Sequence, residues 1–458
     1  MNPELISQLQ QACGNDAVIT DNAECWPYGI DNSRRQHAPD VVVMPQQHEQ
    51  VQAVVAVCFR HRVPLVCRGR GTGTAGAAVP LQGGVVLSTE RMNRILRMDP
   101  VNRLAVVQPG VTNQEVQDAA RRHGLFWAPD PTSAEVCTVG GNLACNAAGP
   151  LAVKYGTTRD NVLGLRAVTG DGSSLRTGVF TSKGVVGYDL TRLIIGSEGT
   201  LAVITEATLR LLPLPEARQT LRAVYHDIAS ATEAIVSVMA LPDSPCVLEF
   251  IDGKAIELAN RHTDLGLPAA AGAMLMLEVD GNRDSISVAA TRVQQAASNG
   301  GLLELRVAQD DAEAKQLWRA RKALSPALRH IAPKKINEDV VVPVGHLPEL
   351  INGLEKLSKQ YNITIVNFGH AGNGNIHVNL LVDPDDAQQM TGARQCLADV
   401  FALVLQLEGT LSGEHGIGSE KKDYVGLELD TTSLELMRRI KQQFDPAGIL
   451  NPGKLFPE

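Results

Sequence analysis

The sequence predicts a mixed α/β domain over its first half, with a second domain of α+β, ferredoxin-like type behind it. Three observations predict this. Short apolar runs alternate with helical periodicity and glycine-rich loops as far as Leu211. Leu211-Leu212-Pro213-Leu214-Pro215 then sets two prolines after a strand signal, the mark of a boundary. Beyond it come two β-α-β passes of similar length.

Composition narrows the class. A chain of 458 residues, 44% hydrophobic and 20% charged, is neither a collagen, a coiled coil nor a disordered polymer, and has length for two large domains or three smaller ones. Its net charge of −8, from 42 Lys+Arg against 50 Asp+Glu, gives no reason to expect nucleic acid as a partner. No apolar run approaches the ~18 residues of a membrane helix. Met1-Asn2-Pro3-Glu4 lacks the basic and apolar regions of a signal peptide, so none is expected. The 8 cysteines contain no C-x-x-C pair. That excludes a locally encoded zinc ribbon or iron–sulfur cluster and fits reduced, mostly buried thiols in the cytoplasm.

Taken in order, Val41–Met44 is a strand stopped by Pro45, and Val51, Val54, Val55 and Cys58 give the next segment a helical face. Val63–Val66 leads into a glycine loop, and Gly83–Leu87 and Leu104–Val107 are strands. Thr112 and Glu115 have capping-box spacing; the helix they open presents Val116, Ala119 and Ala120 and stops at Gly124. Leu165–Val168 and Thr200–Thr205 are strands beside glycines. After the boundary, strands at Leu221–Tyr225, Val247–Ile251, Met274–Val279 and Leu303–Val307 alternate with Ala-rich helices at Ala229–Met239 and Ser285–Ala297. Asn362–Val366 and Ile376–Leu381 add further strands, and the tail is expected to be helical up to Asn451-Pro452-Gly453-Lys454.

The glycines are clustered. Arg68–Ala77 holds four glycines in ten residues, a loop whose bare backbone N–H groups can wrap a pyrophosphate, or simply turn the chain. It matches neither the Rossmann fingerprint nor a P-loop. Pro131-Thr132-Ser133 with Gly140-Gly141-Asn142 and Asn146–Gly149, and then Gly196-Ser197-Glu198-Gly199-Thr200, suit backbone lying against a large planar ligand, or close strand packing. His370 and His377 fall in one glycine-bounded loop, and Glu414 and His415 in another. Two imidazoles and a carboxylate can bind Zn²⁺ and leave positions open; hydrogen-bonded turn residues explain the spacing equally well.

Arg68–Ala77, Pro131–Ser133 with Gly140–Gly149, Tyr155–Asn161, Gly196–Thr205, Phe368–Asn379, Gly413–Lys422 and Asn451–Phe456, in this order, resemble the vanillyl-alcohol oxidase / p-cresol methylhydroxylase superfamily of FAD proteins. Within it the chain looks like the D-2-hydroxyacid dehydrogenase branch, the group of D-lactate dehydrogenase, D-2-hydroxyglutarate dehydrogenase and the glycolate oxidase D subunit. The match runs from Pro39 to the C-terminal segment. It implies an α+β protein with a two-part PCMH-type FAD-binding domain over 1–215, a ferredoxin-like cap (substrate) domain over 216–410, and a C-terminal helical segment, 411–458, returning to the FAD domain.

The resemblance implies FAD contacts from Arg68, Gly69, Arg70, Gly71, Thr72, Gly73 and Ala77. Further contacts come from Pro131, Thr132, Ser133, Gly140, Gly141 and Asn146, and from Glu198, Gly199, Ile204 and Asn451. The family loop reads R-G-G-G-T-G, and Arg70 here replaces its central glycine. The loop has no histidine, so non-covalent FAD is expected. A divalent metal, zinc first and Mn or Fe as alternatives, maps onto His370, His377 and Glu414, with His415 as the base. Asn373 stands where the family often has Asp. Arg321 matches the arginine that grips the substrate carboxylate, while Arg319 and Arg329 fit a plain surface. Lys334 or Lys335 adds a second cation; Lys335 is carried as the candidate and the alignment does not choose.

The implied reaction oxidises a small anionic D-2-hydroxy acid to the 2-oxo acid. D-Lactate is favoured, with D-2-hydroxyglutarate and glycolate open. Electrons then leave to a quinone, a cytochrome or an electron-transfer protein. A homodimer, and peripheral attachment of a cytoplasmic protein to the inner membrane, stay open. Two other readings stand beside this one: a flavin-binding glycolate oxidase D-type subunit active only with partner chains, and a metal-dependent hydrolase using the same His and Glu residues.

Overall fold

The computed structural model describes residues 2–260, 267–268, 270–329 and 333–457, apart from the side chains of 259, 320 and 322–329. They form two compact units: Met1–Gly149, Gly156–Leu214 and Glu414–Glu458 in the first, Pro150–Tyr155 and Pro215–Gly413 in the second.

In the first unit, α1 (Pro3–Cys13) packs on α2 (His48–His61). The helical stripe Val51, Val54, Val55 and Cys58 is fully buried in a cluster with Leu5, Leu9 and the strand valines. A four-stranded sheet runs β1 (Val18–Ile19), β2 (Val41–Val43), β4 (Val85–Ser88), β3 (Leu65–Arg68). Its last three strands are parallel, with α2 as the crossover between β2 and β3. These strands are buried on both faces, which is why they read as unbroken valine runs. A five-stranded antiparallel sheet runs β5 (Ile95–Asp99), β6 (Leu104–Val107), β9 (Ala202–Arg210), β7 (Val162–Thr169), β8 (Ser174–Gly178). The Thr112–Glu115 capping box opens α3 (Asn113–Arg121), which buries Val116 and Ala120. Thr138 caps α4 (Val139–Cys145).

The second unit is built on a seven-stranded antiparallel sheet. Its first part is β10 (Ala217–Tyr225), α5 (Ile228–Met239), β11 (Val247–Asp252), α6 (Gly253–Asn260), β12 (Ala273–Gly281), α7 (Ile286–Ala297) and β13 (Leu302–Val307). The spatial order β13-β10-β12-β11 is the ferredoxin-like order. After α8 (Asp311–Arg329), β14 (Lys334–Val341), α9 (Leu347–Tyr361), β15 (Thr364–His370), β16 (Asn375–Val382) and α10 (Ala387–Gln406) repeat the pass without a fourth strand. The two passes join where β11 pairs with β15.

Pro150–Tyr155 belongs to this unit although it lies within the stretch assigned to the first by sequence. The reason is the buried Asp280, which accepts hydrogen bonds from Tyr155 Oη at 2.7 Å and from Lys154 Nζ.

The tail differs from its expectation. Thr431–Phe444 is its one long helix among the described residues, with single turns at Lys422–Tyr424 and Val425–Glu428. Gly416, Gly418 and Gly453, all at positive φ, break the rest. After the helix the chain runs back along β3: Leu450 bridges Leu65, and Asn451 N donates to Leu65 O at 2.8 Å. No helix among the described residues is long and apolar enough to cross a membrane. No disulfide joins the eight cysteines among the described residues, and six of them are buried.

Candidate active site

In the first unit the three glycine clusters come together. Arg68–Ala77 leaves the end of β3. Gly69 packs so closely on Thr138 that a Cβ there would overlap the Thr138 hydroxyl, the same group that caps α4 through Gly141 N. Gly140 sits against Pro109, and Asn146, left-handed at φ 53, ends α4 and accepts from Arg159 N at 2.9 Å. Gly196 N and Glu198 N donate back to Leu143 O and Ala144 O. Pro131-Thr132-Ser133 forms the turn before Thr138. Ile204 is half-buried on β9 opposite Ala167, beside a register shift.

Asn451 ties the clusters together. It is buried and left-handed at φ 44, and its Nδ2 donates to Ala77 O at 2.9 Å and Glu198 O at 2.7 Å. Its Oδ1 is buried with no hydrogen-bond partner among the described residues. Lys454, also buried, donates to Gly76 O and Val79 O at 2.6 Å. The sequence placed Lys454 in the returning segment Asn451-Pro452-Gly453-Lys454 without a role of its own; its signal was a lysine directly after a Pro-Gly stop.

Fit to a dinucleotide can be tested on the backbone. Among the described residues, no N–H from Gly69 to Gly76 donates to a protein acceptor. Consecutive unsatisfied N–H groups suit an anion such as a pyrophosphate. Arg68 adds a buried guanidinium over Tyr28, with Nη1 unsatisfied among the described residues. Arg70 does not obstruct the loop. Its φ is not left-handed, and its side chain turns out to an exposed ion pair with Glu90 at 3.0 Å. These residues fit FAD.

Glu198 does something the sequence did not foretell. Its carboxylate accepts from Ile417 N at 2.5 Å and Gly418 N at 2.7 Å, and so holds the turn after His415. Gly416 must be glycine here: it has φ +84, and a Cβ would lie 2.5 Å from Glu198 Oε1. Burial pushes the Glu198 carboxyl up, and the two N–H donors with Lys454 and Lys421 oppose it.

In the second unit, strand register gathers the other candidates on one face. Asp339 pairs His377, His377 pairs Phe368, and His370 pairs Asn375. Side chains alternate along a strand, so Lys335, two steps of two from Asp339, shares this face and Lys334 takes the opposite one. Glu249, on β11, is fully buried. It pairs with His370 Nδ1 and accepts from Arg321 Nε at 2.8 Å. Burial would raise its carboxyl; His370 and Arg321 outweigh burial and hold it well below the usual range. Arg321 lies over the Phe368 ring at 4.8 Å, and its two Nη groups have no acceptor among the described residues. Arg319 is exposed, and the Arg329 side chain lies outside the described residues.

His370, His377 and Glu414 offer ligand atoms that all lie within 4.8 Å of one another. Asp339, buried, delivers the chain to Glu414: it accepts from Gly413 N at 2.7 Å and Ser412 Oγ at 3.1 Å. His415 follows in the next peptide. Two imidazoles and a carboxylate, one imidazole backed by a carboxylate, suit Zn²⁺ or a similar ion. Glu249 and Asp339 escaped sequence reasoning. For Glu249 the signal was a carboxylate inside an apolar strand, which demands a buried partner; Asp339 lies in the polar run Asn337-Glu338-Asp339, which gave no such signal.

Comparison with known proteins shows the family. Residues 214–455 match the family of FAD linked oxidases, C-terminal domain, and residues 39–178 match a FAD binding domain. The glycolate oxidase subunit GlcD of Bacillus subtilis is 37% identical over 98% of this chain and 96% of its own length. A D-lactate dehydrogenase of Archaeoglobus fulgidus is 38% identical over 91% of both. The crystal structure of p-cresol methylhydroxylase with substrate bound shares the fold, with TM-score 0.80 at 18% identity over 99% of this chain and 96% of that one.

Proposed function

We propose that this chain, which belongs to the FAD-linked oxidase family, oxidises a D-2-hydroxy acid to the 2-oxo acid, D-lactate first, with D-2-hydroxyglutarate and glycolate as the alternatives. The observation that carries the reading is the set His370, His377 and Glu414, with ligand atoms within 4.8 Å and Glu414 immediately ahead of His415. Bound FAD supplies a hydride acceptor, and a divalent metal, zinc first, supplies a Lewis acid for the substrate hydroxyl.

The chain's own residues do the rest. The Gly69–Gly76 N–H groups and Asn451 bind FAD without a covalent bond, since no histidine lies in that loop. His370, His377 and Glu414 hold the metal. Arg321 presents its Nη groups to the substrate carboxylate, and Lys335 adds a second positive charge from the same sheet face. His415 takes the hydroxyl proton, a role an imidazole fills near neutral pH.

The test is an anaerobic stopped-flow panel of D- and L-hydroxy acids read by flavin bleaching. Bleaching by D-lactate, D-2-hydroxyglutarate or glycolate supports the reading and selects the substrate. A purified protein without flavin absorbance removes it and leaves a metal-dependent hydrolase. Relatives named as subunits favour one further reading, a flavin subunit active only with partner chains. Flavin that is bound yet bleached by none of these acids selects that one. Electrons then pass to a quinone, a cytochrome or an electron-transfer protein.

A further inference from the structure

Glu249 occupies an unusual place. It interrupts the apolar run Val247-Leu248-Glu249-Phe250-Ile251 and is fully buried in the middle of the sheet. Its two oxygens are divided between two partners: Oε1 takes His370 Nδ1, and Oε2 takes Arg321 Nε at 2.8 Å. Neither partner is near it in sequence; the separations are 121 and 72 residues.

Each contact constrains its partner. Occupying His370 Nδ1 fixes the ring and directs the other nitrogen, Nε2, away from Glu249. A carboxylate on the far nitrogen also makes an imidazole a stronger ligand. Occupying Arg321 Nε fixes the guanidinium plane against the Phe368 ring and leaves the paired Nη groups for an anion. Phe368 is itself the register partner of His377, with ring centroids 5.7 Å apart.

We propose that Glu249 is a positioning residue that holds His370 and Arg321 on one carboxylate, so that affinity for a divalent metal and affinity for the substrate carboxylate depend on each other. The proposal rests on the reading of His370 as a metal ligand and Arg321 as the carboxylate grip. It has a consequence that packing alone lacks. Arg321 draws part of the Glu249 charge away from His370. Removing the Arg321 charge therefore strengthens metal binding, although Arg321 is not a ligand. Neutralising Glu249 weakens metal binding and also frees Arg321.

The experiment titrates Zn²⁺ into chelator-stripped flavoprotein against a competing chromogenic chelator, with flavin content and thermal midpoint as controls of the fold. Glu249→Gln is expected to weaken Zn²⁺ about 10–100-fold with flavin retained. Arg321→Met is expected to tighten Zn²⁺ several-fold while raising KM more than it lowers kcat. Zn²⁺ affinity unchanged from wild type in either variant overturns the proposal. If Glu249→Gln does not fold, Arg321→Met decides alone, and unchanged or weaker Zn²⁺ binding there overturns it. Wild-type protein that takes up no Zn²⁺ overturns the metal reading itself, a separate outcome.

Discussion

The backbone carbonyl of Glu198 accepts a hydrogen bond from Asn451 Nδ2 at 2.7 Å, across 253 residues of chain. The same glutamate turns its carboxylate to Ile417 N and Gly418 N, and the same asparagine reaches Ala77 O. One buried pair thus fastens the Gly196–Thr200 loop, the glycine loop after β3, the turn behind His415 and the returning C-terminal segment.

Asn451→Gly is expected to weaken FAD binding at least tenfold and to destabilise the protein by about 1–3 kcal/mol, the cost of stranding the buried Glu198 carbonyl, with the half-buried Ala77 carbonyl open to water. Glycine keeps the left-handed backbone at φ 44, so the loss reports the side chain. Flavin fluorescence titration of the apoprotein measures it. Asn451→Ala adds backbone strain and should cost more.

His415→Ala is expected to leave FAD bound and to slow flavin reduction by at least about 100-fold, the scale of a general base. Single-turnover reduction under anaerobic conditions measures it. Near-wild-type turnover removes His415 from the role.

Arg70→Gly restores the family loop and should change little. The Arg70–Glu90 pair is exposed, and such pairs are worth about 0–1 kcal/mol. FAD affinity within about threefold of wild type is expected. A larger loss would show that the Arg70 side chain, and not only its backbone, supports the cofactor.

Lys454 predicts a pH dependence. Burial pulls its ammonium down to about 8 from 10.5, with Asp31 and Glu198 opposing. Between these values the unfolded chain holds a proton that the folded one has released. Stability therefore rises with pH across the window and is lost again as pH falls through 8. The effect is on the order of 2–3 kcal/mol at most. Urea denaturation of wild type and Lys454→Met from pH 7.5 to 10 measures it, and the variant is expected to lack this slope.

Much of the molecule was legible locally. The capping box at Thr112, the buried stripe of α2 and most strands of both units follow from periods of 3.6 and 2, while β1, β5, β8 and β14 were not read as strands. The tail misled because its glycines outweigh its helical composition outside Thr431–Phe444. The choice between Lys334 and Lys335 was not legible, because it depends on the pairing of β14 with β16.

By itself the sequence determined most of the strands and helices and where backbone lies bare in glycine loops, and it singled out the histidines and carboxylates that are candidates for metal and proton chemistry. Those properties depend on neighbouring residues. Only the tertiary structure decided that Glu249 joins His370 to Arg321, that Glu198 serves the His415 turn, and that Lys454 closes the loop at Gly76. A buried charge must find its counterpart wherever the fold brings one within hydrogen-bond reach, and no spacing along the chain encodes that partner.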